Sequence, residues 1–146
     1  AECRHNIGYW QGAYYLGLGV SAHSLLPARD EEKETGAFYI RAANFSNTSD
    51  YCRAIEEKGT AAEDRQPISH KEAMFEAMML GLRMNEGIRG TDFQRRFGTS
   101  IRSVYGVPLE QAVQNGLGLW TADGGYRLTA KGLLLENAVA VELMDV

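Results

Sequence analysis

The chain has 146 residues and a formal net charge of −4, with 45% hydrophobic and 23% charged residues. These values are typical of one ordinary globular domain, or of a small domain joined to a piece of another. The acidic balance gives no general attraction to polyphosphate, and no apolar run approaches the ~20 residues that a membrane span needs. Two cysteines, Cys3 and Cys52, are too few for a disulfide framework and predict a reduced, cytoplasmic setting. The chain begins without Met, which predicts a fragment of a longer protein.

The N-terminal segment has several polar and aromatic side chains close together in the sequence. His5, Asn6, Tyr9 and Trp10 bring polar-tipped and aromatic side chains together within six positions. Such a cluster is unusual for a plain connecting loop, so it is the first candidate site.

The following segment predicts a strand over Tyr15–Ser24. Large apolar residues alternate there with glycine and small residues, and glycine inside a strand often marks a bulge or the close approach of a ligand. We therefore expect a buried strand whose end opens into a pocket.

Further elements are predicted before residue 69. Like-charged runs usually lie in water, and glycine commonly ends a helix. The expected elements are a solvated loop at Arg29–Glu34, a short strand at Phe38–Ile40, a helix at Tyr51–Lys58 capped by Ser49 or Asp50 and ended by Gly59, and a linker at 61–68 that ends near Pro67.

The C-terminal half predicts a winged-helix-like arrangement of three helices, a hairpin and a last helix. Ser69-His70-Lys71-Glu72 has the form of a capping box, and Asp123-Gly124-Gly125 between β-prone runs is a hairpin signal. The expected helices run from Ser69 to about Met84, from Thr91 or Asp92 to Arg96, from Pro108 to Gln114, and onward from a cap at Thr129.

Four motifs in order resemble the C-terminal half of the oxygen-independent coproporphyrinogen III oxidase-like proteins, a radical-SAM family that includes a haem-chaperone branch. The resemblance spans nearly the whole chain. The motifs are His5-Asn6-x-x-Tyr9-Trp10 with Tyr15–Ser24, Arg41-Ala42-Ala43-Asn44 with Tyr51, Glu76–Arg83 with Gly87-Ile88, and Leu128-Thr129-Ala130-Lys131-Gly132 with Asn137.

The resemblance implies an α+β fold in two parts. Residues 1–60 are expected to be the last strand or strands of a radical-SAM barrel, and residues 61–146 a winged-helix-like C-terminal domain. Cut loose from the rest of the barrel, the first part would leave a strand edge open to homo-oligomer formation. The longer protein would use a [4Fe–4S] cluster and S-adenosylmethionine. The cluster signature Cys-x-x-x-Cys-x-x-Cys is absent from this chain, so the fragment alone is expected to be inactive as an enzyme.

The resemblance also implies site residues. His5, Asn6, Tyr9 and Trp10 would form a haem motif with His5 as iron ligand, since imidazole is a common axial ligand and aromatic rings stack on porphyrins. Ala22 and His23 would lie at the edge of the S-adenosylmethionine or tetrapyrrole pocket. For each histidine a plain alternative stays open: His5 hydrogen-bonded in a turn, and His23 buried and satisfied by a backbone carbonyl. A zinc site from Cys3, His5 and His23 is disfavoured, because the spacing lacks the usual ligand pairs.

Three functions follow as alternatives. The first is haem binding or delivery, which His23 favours because the haem-chaperone branch has histidine at that position. The second is a true coproporphyrinogen III dehydrogenase. The tetrapyrrole partner is haem under the first alternative and coproporphyrinogen III under the second. The third is a winged-helix nucleic-acid-binding module. The third is disfavoured because the predicted recognition helix, Pro108–Gln114, has no Lys or Arg.

Overall fold

A computed structural model describes residues 13–146 and shows a mixed α and β protein. The chain divides into two compact units, which meet between Ala73 and Met74. The first unit contains β1 (His23–Pro27), α1 (Asp30–Glu34), β2 (Ala37–Asn44), α2 (Thr48–Lys58), β3 (Ala62–Ser69) and the first turn of α3 (His70–Leu82). The second contains the rest of α3, α4 (Gly90–Phe97), α5 (Ile101–Gln114), β4 (Gly118–Trp120), β5 (Tyr126–Leu128), α6 (Ala130–Leu134) and α7 (Glu136–Met144).

The strands of the first unit form an antiparallel sheet in the order β1-β2-β3. The central strand, β2, supplies the buried side chains of Tyr39, Ile40 and Ala42. Strands of a β/α barrel run parallel, so this pairing is not that of neighbouring barrel strands. The assignment of residues 1–60 to the edge of a radical-SAM barrel stays a prediction.

The predicted strand over Tyr15–Ser24 is wrong in its position. The strand β1 begins at His23, and Tyr15 contributes an isolated bridge to Leu25. Between them the chain turns, with φ of 99° at Gly19 and 58° at Ser21. The glycines that alternate with apolar residues thus mark a turn and not the interior of a strand.

Two segments expected to be irregular are ordered elements. The charged segment predicted as a loop contains the short helix α1, and the Glu32 carboxylate in it binds the Arg65 guanidinium on β3 at 2.8 Å. The Arg29 backbone N–H, and after it Arg65, hold the pKa of Glu32 below its usual value. The predicted linker at 61–68 is wrong, because β3 pairs with β2 along this segment. Pro67 is tolerated there because β3 is an edge strand.

The helix α2 begins earlier than predicted. Its cap is Asn47, whose side-chain oxygen accepts hydrogen bonds from the backbone N–H groups of Ser49 and Asp50 at 2.8 and 3.3 Å. The predicted end at Gly59 is confirmed, with this residue in the left-handed conformation.

Local signals in the second half are mostly confirmed. The capping box at α3 is present: the Glu72 carboxylate accepts from the Ser69 N–H at 2.8 Å, and the Ser69 hydroxyl accepts from the Glu72 N–H at 3.2 Å. The hairpin β4–β5 turns with Gly124 at a φ of 77°, and Thr129 caps α6. The last helix is divided at Leu135 into α6 and α7.

The prediction that the third helix begins at Pro108 is wrong. The helix α5 starts at Ile101 after the cap Ser100, and Pro108 lies inside it. The buried positions Ile101, Tyr105 and Leu109 keep helical spacing through the proline, so packing holds the helix together where Pro108 removes a backbone donor.

The core of the second unit combines side chains from its helices and its hairpin. The fully or nearly fully buried members are Met78, Leu82, Phe93, Ile101, Tyr105, Leu109, Tyr126, Val139 and Leu143. The Tyr126 hydroxyl donates to the Leu109 carbonyl at 3.1 Å, which satisfies its polar group inside the core. The element order is that expected for a winged-helix-like domain, and that classification stays a prediction. None of the helices within residues 13–146 is long and apolar enough to cross a membrane.

Candidate functional site

The predicted site residues fall into two groups. His5, Asn6, Tyr9 and Trp10, together with Cys3, lie outside the described residues. Ala22 is half-buried, and His23 is exposed at the start of β1. The alternative in which His23 is buried and satisfied by a backbone carbonyl is therefore wrong.

Residues 16–23, which we call the glycine loop, fold back on themselves. The base of the loop is closed by paired backbone hydrogen bonds between Tyr15 and Leu25, of 3.0 and 2.9 Å. A Cβ added at Gly17 would lie 2.2 Å from the carbonyl oxygen of His23, so only glycine fits at this position. The expectation of a buried strand opening into a pocket is wrong, since most of the loop is exposed.

Three polar side chains hold the glycine loop. The Asn44 amide donates to the carbonyl oxygens of Gly17 at 3.1 Å and Gly19 at 2.9 Å. The Tyr51 hydroxyl accepts from the Gly19 N–H at 3.3 Å, and the Ser24 hydroxyl accepts from the Gly17 N–H at 2.9 Å. Asn44 and Tyr51 lie on β2 and α2, so the loop is fastened to regular elements of the first unit.

The loop exposes an unusual set of side chains. Leu16 and Leu18 are 69% and 83% exposed, and Val20 is 39% exposed. His23, at the end of the same loop, adds an exposed imidazole, a group that is able to ligate a metal ion. A flat apolar ligand with a central metal ion suits this combination chemically.

The described residues do not fit an iron–sulfur cluster. Within residues 13–146, no group of three or more His, Cys, Asp or Glu side chains has the geometry to hold a metal ion, and Cys52 is exposed. The whole sequence contains two cysteines, fewer than the thiolates that a [4Fe–4S] cluster needs.

The motif residues in the second unit have a packing role. A Cβ at Gly81 would come 2.0 Å from the side chain of Ile88, and one at Gly87 would come 2.2 Å from the carbonyl oxygen of Tyr126. Ile88 forms a bridge with Tyr126, and Arg83 forms an ion pair with Glu136 at 3.2 Å. This motif therefore docks the hairpin and α7, and it brings no reactive group together.

The helix expected to approach nucleic acid, α5, carries a single basic residue. Within α5 the basic side chain is Arg102, whose guanidinium lies 4.4 Å from the centre of the Trp120 ring. At the hairpin tip, the Thr121 hydroxyl, and after it backbone N–H groups, keep the pKa of Asp123 below its usual value, so the tip is anionic. That the chain does not bind nucleic acid stays a prediction.

Known proteins are similar to the C-terminal part of the chain and, in longer alignments, to nearly all of it. Residues 68–135 match the sequence profile of the family described as "HemN C-terminal domain". This part of the chain therefore resembles a HemN C-terminal domain. The chain is also 28% identical over 138 residues to the heme chaperone HemW of Bacillus subtilis, covering 94% of this chain and 33% of that protein. It is 29% identical over 143 residues to the mitochondrial radical S-adenosyl methionine domain-containing protein 1 of Danio rerio, covering 95% and 31%.

A solved structure resembles the fold. Coproporphyrinogen III oxidase (HemN) from Escherichia coli, described as a radical SAM enzyme, superposes with a TM-score of 0.56 at 18% identity, covering 90% of this chain and 28% of that chain. The chain thus spans about a third of the length of its curated relatives, at 33% and 31%. It is homologous to HemW haem chaperones and to coproporphyrinogen oxidase-like radical SAM proteins, as the motif resemblance predicted.

The polar contacts of the glycine loop could not be read from the motifs. Asn44 and Tyr51 carry part of the family resemblance, but their spacing gives no indication of which backbone groups they bind. Ser24 was part of a predicted strand and had no assigned role. The closely spaced glycines, Gly17 and Gly19, are the sequence feature that could have indicated these contacts. Where glycines interrupt a strand, their backbone N–H and C=O groups need hydrogen-bond partners outside the sheet.

Proposed function

We propose that this chain is the tetrapyrrole-contacting C-terminal part of a radical-SAM protein of the haem-chaperone type. The observation that carries the proposal is the glycine loop, in which exposed His23 follows exposed apolar residues on a hydrogen-bonded scaffold. The homology to HemW supports haem as the cargo.

The N-terminal motif is the main haem-binding element in this proposal. We propose that His5 ligates haem iron and that Asn6, Tyr9 and Trp10 complete the motif around the porphyrin. Ala22 and His23 would contribute the edge of the tetrapyrrole or S-adenosylmethionine pocket. An imidazole ligand beside aromatic rings is chemically suited to haem.

The longer protein would supply the remaining chemistry. It would hold the [4Fe–4S] cluster on residues beyond this chain, whose two cysteines are too few for the cluster, and it would bind S-adenosylmethionine mainly there as well. This chain would provide the edge of the barrel and a winged-helix-like cap, and alone it would be catalytically inactive. A true coproporphyrinogen III dehydrogenase is the alternative for the longer protein, and the fold likeness to HemN is compatible with it.

Haemin titration of the 146-residue chain tests the proposal. We expect a shifted Soret band that saturates with haemin and is reduced in His5→Ala. His70→Ala is the matched control, because it makes the same change at the one histidine of the three that the proposal does not use. Absence of any Soret shift in the wild-type chain would refute tetrapyrrole binding. Consumption of S-adenosylmethionine with decarboxylation of coproporphyrinogen III by the longer protein would instead favour the dehydrogenase.

Two finer points belong to the same proposal. A cytoplasmic setting is consistent with the low cysteine count, although the Danio rerio relative is described as mitochondrial. Homo-oligomer formation through a strand edge would use β1 or β3, the two edge strands of the sheet. On β3, Pro67 and the exposed carboxylates of Glu63 and Asp64 oppose strand addition. Size-exclusion chromatography at several concentrations measures this directly.

A further inference from the structure

We infer that Asn44, assisted by Tyr51, is a positioning residue that holds the glycine loop so that His23 ligates the iron of a bound tetrapyrrole. This inference rests on the proposed function and deepens it, because it names the residues of the first unit that prepare the contact. His23 would touch the ligand directly, whereas Asn44 and Tyr51 would act through the loop.

The backbone of the glycine loop needs external support. Ser21 has a φ of 58°, a left-handed conformation that is strained for a residue with a Cβ. Gly19 has a φ of 99°, a value that favours glycine. Because the loop is also largely exposed, packing contributes little to this conformation. Hydrogen bonds from the neighbouring elements must therefore select it.

Asn44 supplies the central pair of these bonds. Its amide nitrogen donates to two carbonyl oxygens on either side of Leu18, those of Gly17 and Gly19, at 3.1 and 2.9 Å. An isosteric carboxylate has no hydrogen to donate and would repel both oxygens. Thus Asn44→Asp removes the restraint while it preserves the size of the side chain.

The backbone next to His23 is restrained by the same residue. The Asn44 N–H donates to the Ala22 carbonyl at 2.9 Å, and the Ser21 N–H donates to the Phe45 carbonyl at 3.0 Å. Ser21 and Ala22 are therefore bound to the end of β2 from the main chain, while the Asn44 side chain holds the opposite arm of the loop. Both arms meet where Gly17 lies against the carbonyl of His23.

The exposed side chains indicate the class of ligand. Leu16, Leu18 and Val20 place three apolar side chains in water within five residues. Clustered apolar exposure of this kind marks a binding surface. An iron porphyrin matches both the apolar side chains and the imidazole. Its ring would cover the apolar side chains, and its iron would bind an imidazole nitrogen.

The experiment is haemin titration of the 146-residue chain, followed by the Soret band. We expect His23→Ala to lose or shift the band, and added imidazole to restore it, which a purely structural role of His23 would not permit. We expect Asn44→Asp to weaken haemin binding at least about tenfold. The matched control is Asn85→Asp, which makes the same change of charge at an exposed position of the second unit.

A second variant guards against misfolding of Asn44→Asp. Tyr51→Phe removes one hydroxyl and keeps the ring, and we expect it to speed amide hydrogen exchange at Gly19 and to weaken haemin binding without change in the circular dichroism spectrum. Wild-type affinity in both Asn44→Asp and Tyr51→Phe would overturn the positioning role. An unchanged Soret band in His23→Ala would overturn the iron contact while leaving the proposed function intact. No haemin binding by the wild-type chain would overturn the proposed function itself, and this inference with it.

Discussion

Two helical glycines of the second unit predict opposite responses to the same substitution. A Cβ added to Gly132 in α6 would come 1.8 Å from the backbone carbonyl oxygen of Leu117. A Cβ added to Gly106 in α5 would have the Cγ of Arg102 as its neighbour at 3.6 Å, an ordinary van der Waals distance. Neither glycine has a positive φ. The available space therefore distinguishes the two positions.

The magnitudes follow from this difference. Alanine in a helix interior is favoured over glycine by roughly 0.5–1 kcal/mol, so Gly106→Ala should raise the free energy of unfolding by about that amount. At Gly132 the clash outweighs this gain, since overpacking costs about 1–3 kcal/mol. The Leu117 carbonyl cannot move away freely, because it accepts a hydrogen bond from the Thr129 N–H at 2.9 Å. Gly132→Ala should therefore destabilise the chain by about 1 kcal/mol or more.

Urea denaturation followed by circular dichroism measures both changes on the 146-residue chain. The two variants differ from the wild type by one methyl group each, so the comparison is matched. Equal stabilisation by Gly132→Ala and Gly106→Ala would refute the reasoning, because it would mean that α6 does not pack against Leu117 as the structure has it. A change in the denaturant slope would show that one variant alters the denatured state or the cooperativity instead.

Two further predictions concern α3. Leu82 is fully buried, so Leu82→Ala should lower the free energy of unfolding by about 2–5 kcal/mol. The control Leu134→Ala, at a side chain that is 86% exposed, should change the free energy of unfolding by less than about 0.5 kcal/mol. A loss well under about 1 kcal/mol in Leu82→Ala would contradict the central position of this residue. Hydrogen bonds from the Ser69 N–H and hydroxyl keep the pKa of Glu72 below its ordinary value of 4.5. The stabilisation that the capping box gives should therefore be complete above pH 4.5. It should be lost as the pH falls through the lower pKa of Glu72 in the folded state. Glu72→Gln should remove this part of the pH dependence in denaturation curves, and an unchanged pH profile would contradict the assignment.

Features that depend on a few neighbouring residues were predictable. The capping box at Ser69 and Glu72 depends on four consecutive residues, and the left-handed helix end at Gly59 and the hairpin turn at Gly124 are equally local. In each of these, one side chain or one missing Cβ satisfies or permits a nearby backbone group. Their position in the sequence is therefore enough to identify them.

Features that depend on distant partners were not predictable. The segment predicted as a linker becomes β3 because β2 pairs with it, and the charged segment becomes α1 where Glu32 meets Arg65, 33 positions further along the chain. The helix α5 continues through Pro108 because its buried face packs in the core. Propensity alone favoured a break at each of these places, and tertiary contacts outweighed it.

The candidate site shows the same division. The sequence alone determined the homology and the shortage of cysteines for a cluster, and it made His23 a candidate, because these depend only on which residues are present and in what order. Only the tertiary structure decided that His23 is exposed and that Asn44 and Tyr51 bind the glycine loop. A hydrogen bond between residues 25 or 32 positions apart depends on how the strand and helix between them fold, and the spacing of residues along the chain does not contain that information.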